Sequence, residues 1–176
     1  AYNCSFAYVT ESGWMDLHTL LESTAIIDEG DLGAEIVALV NKCAVHGVLL
    51  FDIKPLNMIV KPKDLYSGKY HVKMIDFDDT FSTLVNTHFL ATGYTTPGCV
   101  FVLNALLLLN TAMRLTTIPG FQKQSSVVNV FKPLAHEMMN RWSNKKNTQP
   151  RAFCDFLDKD KFFGQGFRVV DEKGRF

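Results

Sequence analysis

Two short runs in this sequence carry the side chains that phosphoryl transfer requires. Asp52-Ile53-Lys54-Pro55-Leu56-Asn57 lies between two apolar runs, and Ile75-Asp76-Phe77 closes a third. Moving a phosphoryl group from a metal-bound nucleotide needs a carboxylate beside the acceptor hydroxyl, a cation on the transferred phosphate and oxygen ligands for magnesium. Asp52 would orient or deprotonate the acceptor, Lys54 would neutralise charge on the γ-phosphoryl, and Asn57 and Asp76 would ligate Mg2+. The competing reading is that these four residues hydrogen-bond their own loop and turn nothing over. Asp78 and Asp79 follow closely, either as further metal ligands or, more simply, as a solvated turn.

The elements that must position these residues can be read from hydrophobic spacing. Residues Tyr2 to Thr10 suit a short strand that Glu11-Ser12-Gly13 breaks. Leu17, Leu20 and Leu21 follow at helical spacing behind Asp16, an N-cap. A second helix is expected with Asp31 as its cap, an apolar stripe through Leu32, Ile36, Val37 and Val40, and Gly47 past its end. The runs Val48–Phe51, Met58–Val60 and Val72–Ile75 read as strands. The last two are joined by Lys61 to Gly68 as a β-hairpin.

The stretch from Asp76 to Gly98 has little periodicity and reads as a functional loop. Cys99 to Arg114 reads as a buried core helix, because its apolar run, interrupted by Asn104, falls short of the roughly 20 residues a membrane span needs. A further helix is expected from about Ser126 to Trp142, with Pro133 inside it, then a short helix over Ala152–Phe163 and a loose tail. The expected fold class is therefore α+β, mainly α, with a small β-hairpin element.

Composition bounds the rest. The chain has 176 residues, 47% hydrophobic and 20% charged, which is the profile of one folded unit with a core. Eighteen basic and eighteen acidic residues cancel, so no global field favours nucleic acid or an anionic membrane, and neither nucleic acid nor a membrane span is expected. Cys4, Cys43, Cys99 and Cys154 are too widely spaced for a zinc cluster and read as reduced thiols of an intracellular protein. No secretory leader is visible, and a first residue Ala1 in place of Met suggests a fragment or a processed chain.

The segment from His46 to Ile59 resembles the catalytic loop of protein kinases, and Val72 to Phe77 resembles their magnesium-binding strand end. Tyr8 to Leu17 is similar to the hinge and the start of the following helix, and Thr92 to Gly98 to the end of the activation segment. The resemblance, preserved in order over residues 8 to 98, implies the large, C-terminal lobe of a divergent serine/threonine protein kinase. It would comprise a residual hinge segment over 1–15, the lobe over 16–163 and a tail over 164–176. It assigns Asp52 and Lys54 to catalysis and Asn57 and Asp76 to Mg2+. ATP would also touch Asp16 at the helix after the hinge and Ile59 in the apolar floor under adenine.

Departures accompany the match. Leu50 and Phe51 replace the His and Arg before the catalytic Asp, Asp78 replaces the glycine after Asp-Phe, and Gly98 replaces a glutamate that would make a structural ion pair. Only eight residues precede Val9, so the small lobe, with its glycine-rich loop and phosphate-holding lysine, has no counterpart here.

The implied partners are thus a protein substrate or a protein that replaces the small lobe. The alternative reading is an inactive pseudokinase or scaffold that docks through the face a small lobe would cover. A small-molecule kinase of the aminoglycoside or choline type is a third reading, against which Lys54-Pro55 argues. The expected location is cytoplasmic, with virion association kept open because large DNA viruses carry divergent kinases.

Overall fold

The structure, a computed structural model, describes residues 12–77, 80–82 and 96–144. The expected strand over Tyr2–Thr10, the hinge residues before Ser12, Asp78 and Asp79, Thr92 to Thr95, the helix over Ala152–Phe163 and the tail lie outside the described residues. The architecture is α+β and mainly helical, with a small three-stranded antiparallel sheet.

In chain order the elements begin with β1 (Met15–Asp16), α1 (Leu17–Glu22), α2 (Glu29–Val45) and β2 (Val48–Leu50). A one-turn 3-10 helix (Pro55–Asn57), β3 (Met58–Pro62), β4 (Tyr70–Met74) and β5 (Thr80–Ser82) follow. Helices α3 (Pro97–Leu115) and α4 (Gln124–Ser143) complete the described chain. Strands β1, β3 and β4 form one antiparallel sheet, with Met58 opposite Met74 and Pro62 opposite Tyr70, so the hairpin forms as its alternation predicts.

The helix boundaries follow from caps. Asp16 accepts from the Thr19 N–H at 2.7 Å and starts α1 as expected. Helix α2 starts earlier than its apolar stripe suggests: Asp28, not Asp31, is the N-cap, and its carboxylate accepts from the Asp31 N–H at 3.0 Å. Asp31 instead sits inside the first turn, where a negative charge suits the helix dipole. Gly47 ends the helix with a φ of 65°, a left-handed conformation that glycine adopts without steric cost. The expected loop over Asp76–Gly98 is in part structured. Thr80–Ser82 pairs antiparallel with β2, and Pro97 and Gly98 already belong to α3, capped by Thr96.

The core is built where α2, α3 and α4 pack together, with Ile36, Val40, Phe101, Leu108, Val130 and Leu134 all fully or nearly fully buried. Helix α3 is long and apolar enough to cross a membrane by length and composition, but 67% of its apolar window is buried inside the protein. It is the central core helix, as its sequence suggests. Helices α2 and α4 approach closely at Gly33, where an added Cβ would lie 2.6 Å from the Val130 carbonyl oxygen and 2.9 Å from Pro133 Cγ. Backbone cannot yield as a flexible side-chain tip does. Gly33→Ala is therefore expected to lower the unfolding free energy by about 1–3 kcal/mol, despite the better helix propensity of alanine. A urea-unfolding midpoint equal to or above that of the parent protein would contradict it.

Candidate functional site

The loop between β2 and β3 is held from below. Asn104, fully buried in the middle of α3, donates from Nδ2 to the Val48 carbonyl at 2.9 Å and accepts at Oδ1 from the Leu50 N–H at 2.8 Å. One amide thus grips both ends of β2 and fixes where the chain leaves it, two residues before Asp52. Next along the loop, Ile53 plugs into the core at 2% exposure, with the Thr111 hydroxyl of α3 3.3 Å from its carbonyl. Neither Asn104 nor Thr111 was singled out by motif reasoning. The available signal for Asn104 was its presence as a lone polar residue in the apolar run from Cys99 to Leu109, since a buried amide must find partners.

Above this anchor the site residues converge. Lys54 Nζ donates to Asp52 Oδ2 at 2.5 Å, and Asn57 Nδ2 donates to both the same carboxylate oxygen and the Asp52 carbonyl, each at 3.0 Å. The Asn57 N–H returns to the Lys54 carbonyl at 2.9 Å and closes the one-turn helix. The hydrogen bond from the Lys54 ammonium, against the opposing effect of burial and with a lesser contribution from the Asn57 amide, holds the Asp52 carboxyl below the usual carboxylate range. Asn57 is 7% exposed, whereas Asp52 and Lys54 are half-exposed at their side chains.

Asp76 joins them across the hairpin. The Ile75 N–H donates to the Asn57 carbonyl at 2.9 Å, one step beyond the Met58–Met74 pair, which places Asp76 beside the 3-10 turn. Its φ of 59° makes it the positive-φ non-glycine residue among those described. Asp tolerates this left-handed region better than most residues, and such strain concentrates where a side chain must be aimed.

Asp16 and Ile59 are also brought together, on the sheet. They are register partners between β1 and β3, and Lys73 of β4 continues the row. Met58 and Val60 face the core, while Ile59 lies on the opposite, half-buried side of the strand. The Asp16 carboxylate is engaged by Thr19 through both oxygens, the second accepting from the hydroxyl at 2.8 Å. Trp14 lies under the Lys73 ammonium at 4.3 Å from its ring centre and near Lys61 at 5.9 Å. Cation–π attraction therefore holds the entry to β1 against the hairpin.

Among the described residues no group of three or more His, Cys, Asp or Glu side chains could hold a metal ion. Asn57 and Asp76 nonetheless fit magnesium by chemistry. Both present hard oxygens, and with Nδ2 committed to Asp52 the amide oxygen is the atom with which Asn57 would ligate. Magnesium usually takes one or two protein ligands and completes its shell with water and phosphate oxygens.

A groove of about 650 Å³ lies elsewhere, between the start of α3 and the end of α4, lined by Thr96, Gly98, Glu137 and Arg141 among others. It shares no residue with the site. Arg141 there bonds Glu137 at 2.7 Å and Asn41 at 2.8 Å and lies over the Phe101 ring, so an ion pair within α4 occupies the neighbourhood of Gly98.

No protein-family model, curated protein or solved structure matches this chain.

Proposed function

We propose that the chain is the large-lobe part of a divergent protein-kinase-like domain, and that its site transfers the γ-phosphoryl group of Mg-ATP to a protein Ser or Thr hydroxyl when the rest of the cleft is supplied. The observation that supports this best is the joining of Asp52, Lys54 and Asn57 into one bonded cluster with Asp76 beside it.

In this reading Asp52, kept ionised by its neighbours, accepts the hydrogen bond of the acceptor hydroxyl and takes its proton as the oxygen attacks phosphorus. Lys54, two residues further on, exchanges its bond to Asp52 for one to the transferred phosphoryl oxygens, so that charge is met where it builds up. Asn57 and Asp76 would hold Mg2+, which when bound supplies charge neutralisation on the phosphates. Ile59 and Asp16, adjacent on the sheet, offer an apolar rest and a polar edge for the nucleoside. The residues that would grip the α- and β-phosphates have no counterpart in these 176 residues and would come from a longer chain or a partner protein.

Calorimetric titration with Mg-ATP tests the reading directly. With half a cleft, saturable heat is expected at a Kd on the order of 1 mM, some 4 kcal/mol of binding, and it should disappear when EDTA removes the metal. Absence of heat at millimolar nucleotide would leave the chain without a nucleotide site of its own.

A further inference from the structure

Helix α4 carries more apolar surface than its packing against α2 and α3 uses. Val127, Val130, Phe131, Leu134 and Met138 are buried and make up the face that meets those helices. Beside that face, Val128, Ala135, Met139 and Trp142 repeat at i, i+7, i+11 and i+14, which puts them within roughly 60° of one another on a helix of 3.6 residues per turn. Val128 is 48% and Met139 41% exposed, and Ala135 and Trp142 are half-buried at the edge of the core. The polar residues Asn129, His136 and Asn140 occupy the far side and are exposed. An apolar stripe about 21 Å long, kept apart from the polar side, marks a contact surface rather than scattered exposure.

The chain itself supplies an occupant. Residues 145–176 follow directly on α4 and lie outside the described residues. Among them Phe153, Phe156 and Leu157 stand at i, i+3 and i+4, the spacing of one apolar helix face, and Asp155 and Asp158 fall off that face. Lys132, exposed along the same edge of α4 as the stripe, is opposite in charge to those aspartates. The connector of residues 145–151 spans at most about 24 Å when extended, against about 6 Å along the axis from the end of α4 back to Met139 and about 22 Å back to Val128. Tethering also gives the segment an effective concentration on the order of 1 mM at the stripe, so that it binds there ahead of a separate protein offering the same contacts.

We propose that the segment 152–163 docks through Phe153, Phe156 and Leu157 on the stripe formed by Val128, Ala135 and Met139, so that the chain covers the outer edge of its own last described helix. Helix α4 contributes no residue to the cluster around Asp52, and the proposal stands or falls independently of phosphoryl transfer.

The test uses the full chain, with Cys154 as a native reporter next to Phe153. Met139→Cys sets a second thiol on the stripe, and Asn140→Cys sets one on the polar side of the same turn. Oxidised glutathione takes up the two electrons and two protons of a thiol pair. Under it, a disulfide to Cys154 within one chain is expected to form about tenfold or more faster from position 139 than from position 140. Peptide mass mapping separates this product from pairs made with Cys4, Cys43 or Cys99. Adding Phe156→Asp to the Met139→Cys chain should slow the reaction to the rate of the Asn140→Cys chain. Val128→Cys, at the more exposed end of the stripe, repeats the measurement if Met139→Cys fails to fold. Equal rates on the stripe and off it, no disulfide to Cys154 from the stripe, or a rate indifferent to Phe156→Asp each overturn the proposal. So does a disulfide that links two chains, which would give the stripe to a second copy.

Discussion

Replacing Asn104 with leucine is expected to lower the unfolding free energy by about 2–5 kcal/mol, measured as the loss of the urea midpoint at constant m. The change strips the Val48 carbonyl and the Leu50 N–H of their partner inside the core, and each buried unpaired group costs about 1–3 kcal/mol. Leucine fills a similar volume, so the loss comes from polar groups rather than from a cavity. Asn104→Asp should do no better. A carboxylate keeps the acceptor for Leu50 but sets a buried negative charge against the Val48 carbonyl where a donor is required. If Asn104→Leu retained the parent midpoint, the amide would not be the anchor of β2. The effect should also be local at first: Asp52, two residues past the released strand end, would lose its fixed position before the helical core melts.

Asp52→Asn is expected to reduce phosphoryl transfer by about 10²- to 10⁴-fold in the completed enzyme and to leave the fold intact. Asparagine matches the carboxylate in shape but cannot take the acceptor proton. The lost ion pair matters little to stability, because both side chains are partly exposed, at 42% for Asp52 and 34% for Lys54, and solvent screens them. Retained turnover would remove Asp52 from the assigned role.

The pH dependence has a definite sign. Lys54 holds the Asp52 carboxyl below its ordinary value, so the ionised base persists into acid, and the acid arm of the rate profile should lie below the usual carboxylate range. The same depression means that the pair's small stabilising contribution is present above that range and is lost as pH falls through the lowered value. Lys54→Met should move the acid arm upward, toward the ordinary carboxylate.

Much of this arrangement was legible in the sequence because local rules carry it. The Asp16 cap, the Gly47 terminator and the antiparallel hairpin each depend on residues a few positions apart, and period-2 or period-3.6 spacing reveals them. The spacing of Asp52, Lys54 and Asn57 likewise put all three on one tight loop. What escaped was decided by contacts made at long range. Strand β5 hides in a polar stretch because its backbone pairs with β2 some thirty residues earlier, a partnership that no local pattern encodes. Gly33 reads as an ordinary helix-interior glycine until Pro133, a hundred residues later, is packed against it. Asp28 is the cap because the backbone is extended there and its carboxylate reaches the Asp31 N–H, whereas Asp31 already lies inside the first turn. The left-handed backbone at Asp76 leaves no trace in composition.

The two sheets that meet at the site are fastened to different helices. Asp52 leaves β2, which Asn104 pins to α3, whereas Asn57 and Asp76 end a hairpin tied to α2. That tie consists of the Lys63 ammonium, at 2.9 Å from Asp31 and 2.7 Å from Glu35, and the bond from the Asp28 N–H to the Gly68 carbonyl at 2.8 Å. The bonds from Asn57 to Asp52 therefore bridge a strand pinned to α3 and a hairpin tied to α2, and they feel how the two helices rest against each other. A slight rocking of one helix on the other would leave the hydrophobic interior nearly undisturbed, yet it would displace the two halves of the site by a fraction of an ångström. Chemistry of this kind tolerates such misplacement poorly. Warming or mild denaturant should thus silence the site while the helices still register as native, which makes activity a more sensitive gauge of helix seating than any measure of global unfolding.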